Sequence, residues 1–142
     1  MYLYPTSLDE IHRSIADLKI GKASGIDELS AEVLKISALA IVPYLQKLIN
    51  QTFSQGEFPD CLKIAKVIPL FKSGSKTNVD NYRSISLRPV LSKVLEKIMY
   101  NCLIKFLDKN DILYEKQFGF RSKHSTVGAL IEINENIRSG TM

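Results

Sequence analysis

The sequence predicts an α+β fold that is mostly helical, with one β-hairpin, and three observations support this class. Five segments show the spacing or the start and stop signals of helices. Between the third and the fourth, two partly β-branched runs flank a polar stretch of turn-forming residues. The 142 residues, 45% of them hydrophobic, suffice for one domain with its own core. We therefore expect residues 1–142 to form a single unit.

The first helix is expected over about residues 7–20. Ser7 followed by Glu10 has the form of a capping box, and apolar residues recur at helical spacing after it. The helical spacing ends at a glycine-bearing loop, residues 21–27. In this loop we expect Gly25 to supply backbone freedom.

Two further helices are expected before residue 57. A short one covers residues 31–36. In the next, Pro43 can start or kink the helix, because proline lacks the backbone N–H that an interior position donates. The apolar stripe of this helix stops before Gly56.

The hairpin is predicted at about residues 64–87. Its first strand is the apolar run 64–71, and its second is the run 82–87. A polar tip, residues 73–81, connects them and is longer than the tightest two-residue turns.

The last two helices follow the hairpin. The longest is predicted from Pro89 to about Asp108. In the final helix, Thr126 can serve as the N-cap and Gly140 ends the helix. The apolar face of this helix, which is to be buried, consists of Ala129, Leu130, Ile133 and Ile137.

Composition excludes several classes of protein. No apolar run is long enough to cross a membrane, and the N-terminal residues lack the pattern of a signal peptide. Cys61 and Cys102 have neither zinc-site spacing nor the density of a disulfide scaffold, so we expect reduced thiols. We therefore expect an intracellular protein with no membrane partner.

No catalytic or metal-binding set is evident in the sequence. The glycines near Lys22 lack the spacing of a phosphate-binding P-loop, and no serine stands in a nucleophile-elbow context. His12 and His124 have no cysteine or carboxylate at metal-ligand spacing. We assign no catalytic residue and no metal site.

Positive charge is concentrated in the middle of the chain. Residues 63–123 contain thirteen basic and five acidic side chains, whereas the whole chain has a net charge of +4. Such an excess can hold a polyanion. On charge alone, a solvated surface of scattered lysines is an equally good interpretation.

Two segments are candidates for anion binding. Lys72 closes the first strand and Arg83 opens the second, which places both cations near the tip of one ribbon. The other candidate is the loop before the last helix, where backbone N–H groups favour an anion. Its candidate residues are Gly119, Arg121, Lys123, Ser125 and Thr126. Solvated hairpin lysines and ordinary helix capping would explain the same residues.

Four segments together carry a resemblance to a known family. They are residues 21–35, 56–74, 81–96 and 117–130, and they follow one another in the family's order and spacing. On these motifs the chain resembles, from end to end, the N-terminal part of the reverse transcriptase domain of non-LTR retrotransposons, the LINE-type, jockey-like elements.

The resemblance implies the fingers part of a right-hand polymerase that copies an RNA template into DNA. Carried over by position, it implies that Lys72 and Arg83 grip the triphosphate of the incoming nucleotide. It implies that Arg121 and the helix start at Ser125 and Thr126 lie against the template strand. The implied partners are RNA template and RNA–DNA hybrid, with deoxynucleoside triphosphates in the complete enzyme.

The resemblance also implies an incomplete domain, consisting of the fingers and the start of the palm. The chain ends before the aspartate-bearing strand of the palm, so no cofactor is expected in it, and Mg²⁺ is expected only for the complete parent enzyme. We expect the chain not to be catalytic alone and to self-associate through apolar faces left without partners. Within so short a chain, not all of five apolar side chains can find partners, and these are Leu95, Met99, Leu103, Leu130 and Ile133.

Four positions depart from the family pattern. Ser84 stands where proline is usual, Arg88 where an apolar residue is usual, Leu62 where tryptophan is common, and Glu28 where glycine is common. Three hypotheses stay open: a fragment of a retrotransposon polymerase, a stand-alone nucleic-acid-binding module, and an inactive remnant that acts as an interaction surface.

Overall fold

Residues 4–140 are described by a computed structural model, and over this range the chain has five α-helices and one two-stranded antiparallel sheet. Short 3-10 turns precede each strand. The predicted α+β class with one hairpin is confirmed. The elements are α1 (Leu8–Ala16), α2 (Ala31–Ile36), α3 (Ala38–Gln55), β1 (Lys66–Phe71), β2 (Tyr82–Leu87), α4 (Val90–Lys109) and α5 (Thr126–Ser139).

The chain divides into two compact units, one ending at Leu103 and the other beginning at Ile104. The first unit holds α1, α2, α3, the hairpin and most of α4, and the second holds the end of α4 and all of α5. The single-domain organisation of residues 1–142 stays a prediction.

The hydrophobic core lies in the first unit, where α1, α2, α3 and the first half of α4 contribute its buried side chains. Full burial of one such side chain stabilises the fold by about 1.5–3 kcal/mol. Leu95 is only 2% exposed and Met99 packs against this core, so two of the five apolar side chains that were not all expected to find partners do find them. The most deeply buried side chains include Ile11, Ile15, Leu34, Val42, Ile49, Val94, Leu95 and Ile98.

The predicted start of α1 is confirmed, and its end comes four residues early. The Oγ of Ser7 accepts a hydrogen bond from the Glu10 backbone N–H at 3.2 Å. The helix ends at Ala16 instead of residue 20. The Nζ of Lys35 donates to the Ala16 carbonyl at 2.7 Å and so satisfies one acceptor that the helix end leaves open.

The third helix starts earlier than Pro43. Ser37 ends α2, and its carbonyl accepts from the N–H groups of Ala40 and Ile41, both at 3.0 Å, so α3 begins directly after α2. Pro43 therefore lies inside α3, and the prediction that it can start the helix is wrong. The predicted end is confirmed, because Gly56 has a left-handed φ of 71°.

In the second unit, α5 has no buried side chain among the described residues. Leu130, Ile133 and Ile137 are 65, 55 and 57% exposed, so the expected burial of their face is not seen in this chain. Leu103, the last residue of the first unit, is 39% exposed. Leu103, Leu130 and Ile133 are thus left exposed in the chain, and the self-association expected from such exposure stays a prediction. Gly140 ends α5 with a φ of 67°, as predicted.

Candidate nucleic-acid interface

The hairpin register places Lys72 and Arg83 on one face of the ribbon. Leu70 pairs with Arg83, and the ladder continues one step further, where the Lys72 N–H donates to the Asn81 carbonyl at 2.7 Å. Side chains of paired residues lie on the same face, and so do those two positions apart along a strand. Lys72 and Arg83 are therefore diagonal neighbours on one face, and both are exposed.

The tip of the hairpin is held by its own hydrogen bonds. The Nδ2 of Asn81 donates to the Ser75 carbonyl at 2.7 Å, and the hydroxyl of Tyr82 donates to the Lys76 carbonyl at 3.0 Å. Gly74 has a φ of +92°, and a Cβ there would lie 2.7 Å from the Asn81 amide. The ends of the tip are thus fixed beside Lys72 and Arg83.

The opposite face of the ribbon carries an aromatic pair that the sequence reasoning missed. Phe71 and Tyr82 pair in register, and their rings meet edge to face with centroids 5.5 Å apart. The Nζ of Lys76 lies 5.9 Å from the centre of the Phe71 ring. The sequence does contain a signal for this pair, because Phe71 and Tyr82 stand one at each end of the tip.

Arg88, which stands where the family usually has an apolar residue, has a partner on α4. Its guanidinium forms an ion pair with the carboxylate of Glu96, which also accepts from the Ser92 hydroxyl at 3.0 Å. Arg88 therefore joins the end of β2 to the first turns of α4.

The N-cap of α5 is a different residue from the one that the sequence predicted. The Oγ of Ser125 accepts from the Gly128 N–H at 3.1 Å, so Ser125 is the N-cap and the assignment of this role to Thr126 is wrong. The cap position falls there because Ser125 has an extended backbone, with φ −144° and ψ 161°, whereas Thr126 already lies in the helix.

Arg121 directs part of its guanidinium toward its own loop. Its Nη1 donates to the Tyr114 carbonyl at 3.3 Å, and the side chain is half-buried. Lys123 is exposed and has a left-handed φ of 63°. A Cβ at Gly119 would meet nothing within 4 Å, so close approach does not explain this glycine within the chain.

The predicted site residues thus fall in both units. Lys72 and Arg83 belong to the first, and the set from Gly119 to Thr126 belongs to the second. The structure brings Lys72 and Arg83 together on one face, and it brings Arg121, Ser125 and their neighbours together in one loop.

A second basic feature of the first unit is a cleft of about 240 Å³, whose lining includes Lys19, Lys22 and Lys93. Its wall is formed by the loop after α1 and the start of α4. Gly25 brings this loop close to the chain before α4, because a Cβ there would lie 2.6 Å from the Pro89 nitrogen. Gly25 does not have a positive φ, so its expected role in backbone freedom is replaced by one in close packing.

The same loop is attached to α2 through Glu32. Its carboxylate accepts from the Gly21 N–H at 2.6 Å. This hydrogen bond is the largest cause that lowers the pKa of Glu32 below its ordinary value, because it stabilises the ionised form.

The part of the chain that the structure describes contains neither a metal-binding cluster nor a membrane-spanning helix. No group of three or more histidine, cysteine, aspartate or glutamate side chains in residues 4–140 is arranged to hold a metal ion. None of the helices described there has both the length and the apolar character needed to cross a membrane.

No protein-family model matches the chain. Its curated relatives include the RNA-directed DNA polymerase from mobile element jockey of Drosophila melanogaster, 34% identical over 125 residues, which are 87% of this chain and 14% of the relative. The probable RNA-directed DNA polymerase from transposon BS of the same fly is 32% identical over 94% of the chain and 15% of the relative. The jockey polymerase of Drosophila funebris is 32% identical over 86% of the chain and 13% of the relative.

Proposed function

Because this chain belongs to the RNA-directed DNA polymerases of jockey-type and other non-LTR retrotransposons, we propose that it supplies the nucleotide- and template-contacting part of such an enzyme. It corresponds to a fragment of one, since the matched part makes up 13 to 15% of these three relatives. In the proposal it is the fingers part of a right-hand polymerase, and it acts inside the cell.

The observation that carries the proposal is the shared face of Lys72 and Arg83. Both side chains lie beside a tip held by its own hydrogen bonds, and both are exposed. A triphosphate offers several anionic oxygens, which arginine can grip with two prongs and lysine as a point charge. In the proposed role these two cations hold and orient the triphosphate of the incoming deoxynucleotide.

The template contact is assigned to the start of α5. The N-terminus of a helix favours a phosphate because its backbone N–H groups are directed outward. Lys123 and Thr126 are exposed beside that end, and Arg121 retains further N–H groups besides the one that holds Tyr114. This loop would contact the RNA template or the RNA–DNA hybrid through phosphates.

The residues present do not fit the Mg²⁺ that the complete enzyme is expected to use. Two-metal phosphoryl transfer requires carboxylates that hold both ions, and residues 4–140 hold no such group. The proposed contribution of the chain is therefore positioning and charge, and the bond-forming step is assigned to other parts of the polymerase.

The test measures binding of a deoxynucleoside triphosphate and of an RNA–DNA hybrid to the chain and its variants. Arg83→Gln and Lys72→Gln should weaken triphosphate binding. Lys123→Gln, in the loop before α5, should make the fall of log affinity for the hybrid with log salt shallower by up to about 0.9. Lys47→Gln, an exposed lysine on α3, is the matched control and should change neither. The proposal would be contradicted if Lys47→Gln lost as much triphosphate binding as Arg83→Gln and Lys72→Gln, or as much hybrid binding as Lys123→Gln.

A stand-alone nucleic-acid-binding module is the second candidate, favoured by the thirteen basic and five acidic residues of the 63–123 region. The two functions differ in a complete polymerase that contains this segment. There, the fingers role predicts that Arg83→Gln raises the KM for the nucleotide. An unchanged KM, with salt-dependent RNA binding retained by the isolated chain, would favour the binding module.

A further inference from the structure

The ribbon face opposite Lys72 and Arg83 has the features of a site for a nucleobase. Phe71 and Tyr82 occupy a pair of positions that exchange no hydrogen bonds, because the bond from Lys72 to Asn81 lies one step further along the ladder. Side chains at such pairs are especially close. Their rings therefore meet edge to face, at an interplanar angle of 63°.

This pair does not serve the core of the first unit. All six residues of β1 are exposed, and Phe71 retains 37% of its accessible surface despite the contact with Tyr82. An aromatic ring left exposed on a ribbon is available to a partner.

A cation is held next to that ring. The Nζ of Lys76 lies 5.9 Å from the Phe71 centroid, and the Tyr82 hydroxyl fixes the Lys76 backbone by donating to its carbonyl at 3.0 Å. One face of the tip thus combines an aromatic surface with an ammonium group. A nucleotide has the complementary chemistry, a flat base joined to an anionic phosphate.

The charge of the hairpin favours a nucleic acid over an apolar peptide. Residues 63–88 contain six basic side chains and one acidic side chain, Asp80. A surface of this charge attracts a polyanion, and a base of any sequence can stack on an aromatic ring.

We infer that Phe71, supported by Tyr82, stacks one base of a single-stranded nucleic acid, while Lys76 contacts the neighbouring phosphate. This inference rests on the proposed function and adds to it a second contact face, distinct from that of Lys72 and Arg83. On binding, the base takes the position over the ring that the Lys76 ammonium holds in the free chain. The flexible lysine stem allows the charge to move to the phosphate.

The experiment compares the binding of two oligonucleotide probes that carry the same number of phosphates. One is an oligothymidylate of about twelve nucleotides, within the usual range of single-strand sites, and the other is an abasic oligomer of equal length. Phe71→Leu should weaken binding of the oligothymidylate about tenfold, in line with the loss of one stacked base, and leave binding of the abasic oligomer unchanged. Arg83→Gln should weaken both.

Tyr44→Leu removes an exposed aromatic side chain from α3 and is the matched control. Phe71→Trp gives a direct readout, because the chain contains no tryptophan. Its fluorescence should be quenched by the oligothymidylate and not by the abasic oligomer. The inference would be overturned if Phe71→Leu kept its affinity for the oligothymidylate or lost equal affinity for both probes. If Arg83→Gln still weakened binding in that case, the proposed function would stand. No binding of either probe would overturn both.

Discussion

A Cβ on Gly25 would lie 2.6 Å from the backbone nitrogen of Pro89 and 2.7 Å from the carbonyl carbon of Arg88. Both neighbours are backbone atoms at the junction of β2 and α4, so a flexible side chain cannot move aside to make room. The glycine thereby allows the loop after α1 to pack against the base of the hairpin.

We expect Gly25→Ala to destabilise the first unit by about 1–3 kcal/mol, the usual cost of inserting a methylene group into a packed site. Urea unfolding would measure the change. Gly119→Ala is the control, because its Cβ would meet nothing within 4 Å and its φ is not positive. Equal stability of the Gly25 and Gly119 variants would contradict the close approach.

Glu28→Gly is expected to stabilise the chain. Glu28 has a φ of 55°, a conformation that costs a residue with a Cβ roughly 1–2 kcal/mol and glycine nothing. After the entropy that glycine loses on folding is subtracted, the net gain is about 0.5–1 kcal/mol. Glu28→Val should lower the thermal midpoint, since a β-branched residue tolerates this φ poorly. A lower midpoint for the glycine variant would refute the explanation.

The hydrogen bond between Glu32 and Gly21 should depend on pH. The pKa of Glu32 is lowered first by the Gly21 N–H, so its contribution to stability is present above the unfolded glutamate pKa of about 4.3 and is lost as pH falls through the folded value. The amide proton shift of Gly21 should therefore titrate with a midpoint below the ordinary pKa of a glutamate. Glu32→Gln should abolish this titration and Glu57→Gln should preserve it. A midpoint above the ordinary value would show that the bond does not favour the carboxylate.

Self-association should depend on α5. Ile133 is 55% exposed on a helix with no buried side chain among the described residues, and exposed apolar surface of this kind favours association. We expect Ile133→Glu to shift sedimentation toward the monomer with unchanged helix content. Ile36→Glu, at an 85% exposed position on α2, should have a smaller effect. A compact monomer for the unaltered chain, with no binding of an apolar dye, would defeat this prediction.

The isolated chain should not extend a primer on any template with any divalent metal. Positioning of a nucleotide without a carboxylate-bound metal pair leaves out the main electrostatic stabilisation of the transition state. Incorporation of labelled nucleotide by a purified sample would be the measurement. Activity that persists in Arg83→Gln would contradict both the assignment and the expected inactivity.

Elements whose limits are set by local chemistry were predictable from the sequence. The bounds 31–36 for α2 and 82–87 for β2 agree with the structure, and Gly56 and Gly140 end their helices as expected. Boundaries set by distant residues were not predictable. The early end of α1 coincides with a hydrogen bond from Lys35, nineteen positions away.

The candidate site likewise has features that the sequence predicts and features that it does not. The shared face of Lys72 and Arg83 follows from strand alternation once the register is known. The bond of Arg121 to Tyr114 depends on the fold of the loop between α4 and α5. This loop contains three non-glycine residues with left-handed backbones, Asp111, Phe120 and Lys123, and no sequence pattern marks the bond. The sequence shows Phe71 and Tyr82 as two aromatic residues, but their edge-to-face contact depends on the register of the two strands, which the sequence does not specify.

The register of the hairpin also determines how its open edge can be used. Pro69 pairs with Ser84 one step away from the pairs that exchange hydrogen bonds, so its nitrogen is directed away from β2. It costs the ribbon no internal hydrogen bond, and it removes a donor from the edge that an additional strand would need. The edge of β1 is therefore a poor template for strand addition or for edge-to-edge aggregation, and the hairpin is left to recognise its partners through side chains.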